Sequence, residues 1–246
     1  MKKTLLLSVV ASTMIMAGGD IAPVEPVVET PAPAASGWEF SGTAKVYYQT
    51  DDTAGLTSRG VTSSTDDSLF SQGASAADAG IQLRAMNSDV VAGIGAGVEV
   101  SALATLGLQH WMVSDVMQAT ANAGYDVDDI IHGGWVSQAY LTYGFGNTSI
   151  KVGRQELPKS LSPFAFSEDW NVFKNTFDAV LVVNTDLPET TLVGAWVLEE
   201  NANFMHANMA DFNKLNGNDG VFMLTAQNKS IENLTLTGSW YYAADF

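Results

Sequence analysis

The chain has no cysteine in its 246 residues, so it has neither a disulfide framework nor thiolate chemistry. Basic residues are scarce: 11 Lys and Arg stand against 27 Asp and Glu, a formal net charge of −16. Nucleic acid needs clustered Lys and Arg and is excluded as a partner. Charge of either sign is sparse as well, at 15% of residues, which is low for an acidic soluble protein. Beyond the first residues no segment approaches 18 consecutive apolar positions, which excludes helical membrane spans. No HExxH, GxSxG, Walker or EF-hand spacing occurs, and no enzyme activity, cofactor or metal is expected. The three histidines, His110, His132 and His206, fall in three different predicted loops. His132 lies near Asp126, Asp128 and Asp129; this reads as a solvated acidic loop, with a His–Asp dyad or cation site as the other reading.

What the chain does have begins at its N-terminus. Lys2 and Lys3 precede an apolar run over residues 4–16, then Ala17, Gly18 and Gly19. This is the layout of a secretory signal peptide, residues 1–17, and its core is too short to span a bilayer. Ile15 is larger than the ideal residue at its position, so the cut can shift by a residue or two. Residues 18–37 form a leader holding four of the seven prolines. Its Pro, Ala and Glu favour an extended tether, with a periplasmic anchor as the other reading.

Residues 38–246 read as alternating strands, rich in Gly and aromatics. Within residues 38–49, Trp38, Phe40, Ala44, Val46 and Tyr48 share one face, opposite Glu39, Ser41, Thr43, Lys45, Tyr47 and Gln49. A period of two with one apolar face marks a strand between two different solvents. The same pattern recurs at residues 79–87, 91–103, 135–145, 148–155 and 233–243. More apolar segments at 176–184, 190–199 and 220–228 bring the number of strands to nine. Long connections at 50–78, 104–134, 156–175 and 200–219 alternate with tight turns at 87–89, 146–147, 185–188 and 228–233. Long loops at one end and tight turns at the other characterise transmembrane β-barrels, whereas a soluble sandwich has no cause to sort its loops by parity. Aromatics gather near strand ends, as interfacial girdles do. The expected fold is therefore all-β, a transmembrane antiparallel up-and-down barrel.

The polar face carries Lys45, Arg84, Glu99 and Lys151, a mixture that a wet lumen tolerates and a dry core does not. Arg154 shares parity with Ile150 and Val152; it joins these pore-lining candidates if a bulge near Gly153 turns it inward, and otherwise lies at the outer rim. Residues 156–175 (ELPKSLSPFAFSEDWNVFKN) are too aromatic to float in water. They are expected to fold inward and constrict the lumen through Glu156, Lys159, Glu168, Asp169 and Lys174, the other reading being a loop packed over the rim or against a neighbouring subunit. A short helix within 106–123 would serve the same end. Gly93, Gly95 and Gly97 sit inside a strand with no helix following, so they read as room left beside the wall and not as a phosphate loop.

With the strand SGTAKVYYQT and the run GFGNTSIKVGRQELPKSLSPF, the chain resembles the Opr-family outer-membrane porins over most of its mature length. The resemblance implies a homotrimeric porin in the outer-membrane lipid, passing ions and small hydrophilic solutes through a pore narrowed by an inward loop. Such porins carry 16 to 18 strands, so nine strands are expected to be the N-terminal portion of one. Trp240, Tyr242, Ala244 and Phe246 do alternate as a barrel's final strand would, but single-chain bacterial barrels have even strand numbers. The alternative is a small closed barrel with a filled interior, acting through its loops as an enzyme or adhesin. The acidic excess suggests cation preference.

Overall fold

The computed structural model describes residues 37–50, 57–58, 61–62, 70, 75–104, 131–168, 172–201 and 210–244. The signal segment, residues 18–36 of the leader, residues 106–123, Asp126, Asp128, Asp129, Asp169, His110, His206 and Phe246 lie outside them. The strands are β1 (Glu39–Thr50), β2 (Thr57–Ser58), β3 (Val61–Thr62), β4 (Ser75–Val91), β5 (Ile94–Ala104), β6 (Ile131–Phe145), β7 (Thr148–Gln155), β8 (Phe177–Asn184), β9 (Thr190–Asn201), β10 (Phe212–Lys214), β11 (Val221–Ile231) and β12 (Leu234–Tyr242). Nine of them form one antiparallel meander in the order β1-β4-β5-β6-β7-β8-β9-β11-β12, and these correspond to the nine predicted strands. β10 extends the sheet beside the end of β9, and β2 pairs with β3 apart from the sheet. Among the described strands, β1 and β12 are edges and the sheet is not closed.

Three of the four tight turns fall where the sequence puts them. The first is displaced. β4 runs on through Asn87, Ser88 and Asp89, and the chain reverses at Ala92-Gly93. A type I′ two-residue hairpin needs positive φ at both central positions, and Ala92 (φ 52°) and Gly93 (φ 80°) supply it. Asn87 and Asp89 instead build local side-chain bonds, Asp89 N–H to Asn87 Oδ1 at 3.0 Å and Gly93 N–H to Asp89 Oδ1 at 2.9 Å. The pairing of β4 with β5 slips there, between Asn87 and Val91. His132, expected in a loop, belongs to β6.

The two faces of the sheet differ as the alternation requires. On the outer face Val46, Leu83, Val100, Leu141, Val152, Leu224 and Leu236 are exposed in the middle of their strands. Toward the tight-turn end the same face shows Trp38, Phe40, Tyr143 and Phe145. Toward the long-loop end it shows Tyr48, Trp196, Phe222, Trp240 and Tyr242. Trp196, Phe222 and Tyr242 are register neighbours on three strands, and the first two stack at 5.7 Å. An aliphatic band between two aromatic rows is the profile of a surface that meets lipid with water at both ends.

The inner face carries the segment at residues 156–175. Lys45 on β1 and Tyr241 on β12 are eight strand steps apart, roughly 38 Å along a flat sheet at the usual strand spacing. This one segment hydrogen-bonds to both, because the sheet curls around it. Leu157 and Leu161 enter a buried cluster with Phe177 and Ala179 of β8, Val193, Ala195 and Val197 of β9, and Met223 of β11. That cover explains the weak alternation of β8 and β9: strands buried on one face by a loop and set against lipid on the other read as nearly continuous apolar runs.

Candidate functional site

The inner face of β4, β5 and β6 is polar and closely bonded. Glu99 on β5 is 3% exposed and gathers its partners from both neighbouring strands. Arg84, its register partner on β4, donates Nε to Glu99 Oε2 at 2.8 Å and brings Nη2 to the same oxygen at 2.6 Å. On the other side the pairing of β5 with β6 slips by one residue, matching Glu99 to Gln138 and Val100 to Val136. Ser137 is the extra residue of this β-bulge, and it lets two consecutive side chains, Ser137 and Gln138, face inward. Ser137 Oγ donates to Glu99 Oε1 at 2.7 Å and Gln138 Nε2 to the same oxygen at 3.3 Å. Ser101 Oγ donates to Ser137 Oγ, and Gln82 Nε2 donates to both Glu99 and Ser101. The buried carboxylate is thereby satisfied on both oxygens, as its burial demands.

This network continues into the inserted segment. Glu156 Oε1 accepts from Gln138 at 3.3 Å and lies 3.8 Å from Arg84 Nη2, while its Oε2 is 3.2 Å from Lys174 Nζ. Glu156 and Lys174 stand at the two ends of the segment, so their pair closes its neck. A second closure lies just inside: Leu157 N–H donates to Ser167 Oγ at 3.1 Å and Ser167 N–H to Leu157 O at 2.9 Å. At Pro158 the chain turns, its carbonyl accepting from the N–H groups of Leu161 and Ser162. The result is a compact loop packed by its own side chains.

Of the sequence-predicted inner residues, Lys45, Arg84, Glu99 and Lys151 all face the loop side. Lys45 Nζ donates to Val172 O at 2.8 Å. Lys151 Nζ sits 3.8 Å from the centroid of the Tyr140 ring. Tyr140 lies flat over Gly97, where a Cβ would strike it, and its hydroxyl meets Met86 Sδ at 3.3 Å. The space beside Gly97 is therefore taken by the wall's own tyrosine, and that beside Gly95 by Thr142 and the carbonyls of Asn87 and Ser88. Arg154 is a correction. It is in register with Ala139 and Asp178 and shares the parity of exposed Val152, so it lies on the outer face near the long-loop end. Asp178 holds it there at 2.8 and 2.9 Å, and its guanidinium carbon is 3.2 Å from the Phe212 ring centroid. Gly153 takes a positive φ (117°), which glycine alone adopts without strain, and it does not invert the parity of the next residue.

Of the loop residues singled out, Glu156 and Lys174 meet each other and Arg84. Lys159 is exposed and lies 4.4 Å from the Phe166 ring centroid. The N–H of Glu168 donates to Asn175 Oδ1 at 2.7 Å. Sequence reasoning missed Gln82, Ser101, Ser137, Gln138 and Tyr140 as network members. The signal for the bulge was present: Ser137-Gln138 are two successive polar residues in a strand that otherwise alternates.

A nine-strand antiparallel meander, apolar outside, polar on the inner face of β4 to β6 and covered over β8, β9 and β11 by a loop drawn into its hollow, is the wall of a transmembrane β-barrel of the large, up-and-down kind. Solved structures of that class match it. OccK8 (OprE) of Pseudomonas aeruginosa matches with a TM-score of 0.55 and 16% identity, over 85% of this chain and 47% of that one. The outer membrane protein OpdK of the same organism gives 0.53 and 14%, over 85% and 48%. A BenF-like porin from Pseudomonas fluorescens Pf-5 gives 0.53 and 13%, over 85% and 50%. The chain thus spans about half the length of each. No protein-family model matches it, and no curated protein matches it in sequence.

Proposed function

We propose that the chain forms part of the wall of an outer-membrane porin, a water-filled channel for passive diffusion of ions and small hydrophilic solutes, with no reaction catalysed. The observation that carries this is the two-solvent sheet: exposed aliphatic and aromatic side chains outside, a hydrogen-bonded charge network inside. A small closed barrel would need β1 to pair with β12, and among the described strands these two are unpaired with each other. Lys45, Arg84, Glu99 and Lys151 line the pore, and Glu156 and Lys174 belong to the loop that narrows it. Export follows cleavage near Ala17, which N-terminal sequencing of the mature protein checks. The porin resemblance brings with it a homotrimer, testable by native mass spectrometry in detergent.

The defining experiment is conductance in planar bilayers. Stepwise, voltage-independent current increments are the expected result, and a folded protein that carries no current refutes the channel. The distribution of charge also bears on selectivity. Asp89, Asp186, Glu189 and Glu232 stand at the tight-turn end, outside the lumen, whereas mid-strand the inner face bears Lys45, Arg84 and Lys151 with Glu99. Under a salt gradient Lys151→Glu should move the reversal potential toward cations.

A further inference from the structure

Gly80 stands on the inner face of β4, and a Cβ at that position would collide with the ring of Phe173. Phe173 is 1% exposed. Its ring fills a gap that the missing side chain leaves in the wall. Leu103, Tyr47 and Trp135, from three different strands, close the sides of that gap. Beside it Lys45 Nζ bonds the main-chain carbonyl of Val172 at 2.8 Å and lies 5.6 Å from the Phe173 ring centroid. A bond to the backbone fixes where the segment lies, whatever side chains it bears. The other arm of the loop is held independently, by Leu157 and Leu161 in the apolar cluster and by Phe164, whose N–H donates to Tyr241 Oη at 3.2 Å. The two arms are thus tied to opposite parts of the sheet.

We propose that Gly80 and Lys45 form a socket for Phe173 that positions the second arm of the loop, and that this socket sets the bore of the pore. Gly80 and Lys45 act as positioning residues, through the loop and not on the solute. The loop is a fixed brace across the lumen and does not gate it. This assignment rests on the channel reading above, so its test includes a measurement that needs no current.

The native chain has no cysteine and two loop lysines, Lys159 and Lys174, that trypsin can attack. Gly80→Leu fills the socket from the wall, and Phe173→Ala empties it from the loop. Both leave the Arg84–Glu99 pair intact. In planar bilayers each should lose the single steady conductance level and give a larger, noisier current. In trypsin each should lose resistance at Lys174. Gly194→Leu, at a glycine whose Cβ would meet nothing within 4 Å, should behave as the native protein does in both assays. In the double variant Gly80→Leu/Phe173→Ala the wall's leucine occupies the vacated space, and a steadier level should return. Steady native current together with an intact Lys174 bond in both single variants overturns the socket. A native protein that carries no current would sink the channel reading, while the trypsin result would still decide whether the socket holds the loop. Should either variant fail to fold, as judged by heat-modifiable gel mobility, Lys45→Met removes the bond to Val172 without adding bulk. It must then raise cleavage at Lys174 for the socket to stand.

Discussion

Glu99 is buried with a formal charge, and its four donors, Arg84, Gln82, Ser137 and Gln138, come from the strands on either side. Removing it leaves those donors facing a gap, with Arg84 still one-third exposed and partly hydrated. Glu99→Ala should therefore cost about 1–3 kcal/mol, the usual penalty for stranded buried partners, and Glu99→Gln distinctly less. Urea midpoints of the refolded protein in lipid vesicles check both values. A different carboxylate, Asp186, sits fully exposed in the turn between β8 and β9. Hydrogen bonds from Asn184 Nδ2 (2.6 Å) and Asn147 Nδ2 (3.0 Å) hold its carboxyl below the usual carboxylate range. A depressed folded-state pKa contributes stability that is present above the unfolded value, and that contribution is lost as pH falls through the folded one. The clasp between the two turns should loosen below the ordinary Asp range. The protection factor of the Thr185 amide, which bonds Asn147 O, should fall there in the native protein, and in Asp186→Asn it should not change with pH.

At the scale of elements, the bulge in β6 makes a sharp prediction. Ser137 is one residue too many for the ladder, so deleting it leaves Trp135 inside, Val136 outside and Gln138 inside, with the register to β5 intact. The deletion should fold, at a cost of about 1 kcal/mol for the lost hydroxyl bond. Deleting Val100 from the regular part of β5 should not fold, because every residue beyond it would change solvent. A folding yield measured by gel mobility separates the two outcomes. The bulge also marks where sequence reading stops. Six of the nine strands were legible because they alternate between water and lipid and the other three as apolar segments between turns, and Lys45, Arg84, Glu99 and Lys151 were placed on the inner face by parity alone. Arg154 fits that same parity, and its inward placement failed because Asp178 makes the outer rim acceptable to it. Ser137 was not placed, since the local pattern gives the slip but not the strand that answers it. Phe173 and Gly80 lie more than ninety positions apart, and nothing in either segment announces the fit between ring and gap. The tight turn assigned to Asn87-Ser88-Asp89 was drawn by residues that favour turns in general, while Ala92-Gly93 had the backbone angles the hairpin required.

For the whole molecule, the aliphatic band and its aromatic rows set a depth scale. Leu83→Arg places a charge at mid-strand on the outer face and should cost about 2–4 kcal/mol in a bilayer, whereas Phe40→Arg near the tight-turn end should cost roughly 0–1 kcal/mol. Equal costs at the two sites, measured by refolding into vesicles, would refute a membrane-embedded outer face. The brace inside the barrel has a further consequence, for the order of assembly. Its bond from Lys45 to Val172 joins positions 127 apart, and its bond from Phe164 to Tyr241 joins positions 77 apart. The first needs only β1 and the loop, while the second cannot close until β12 is in place. Contacts so distant in sequence form only after the chain entropy of the intervening hairpins has been given up. The wall that seats Phe173 comes from β1, β4, β5 and β6, all made before it, so the second arm of the loop can dock early, whereas the first arm waits for Tyr241 and the last strand.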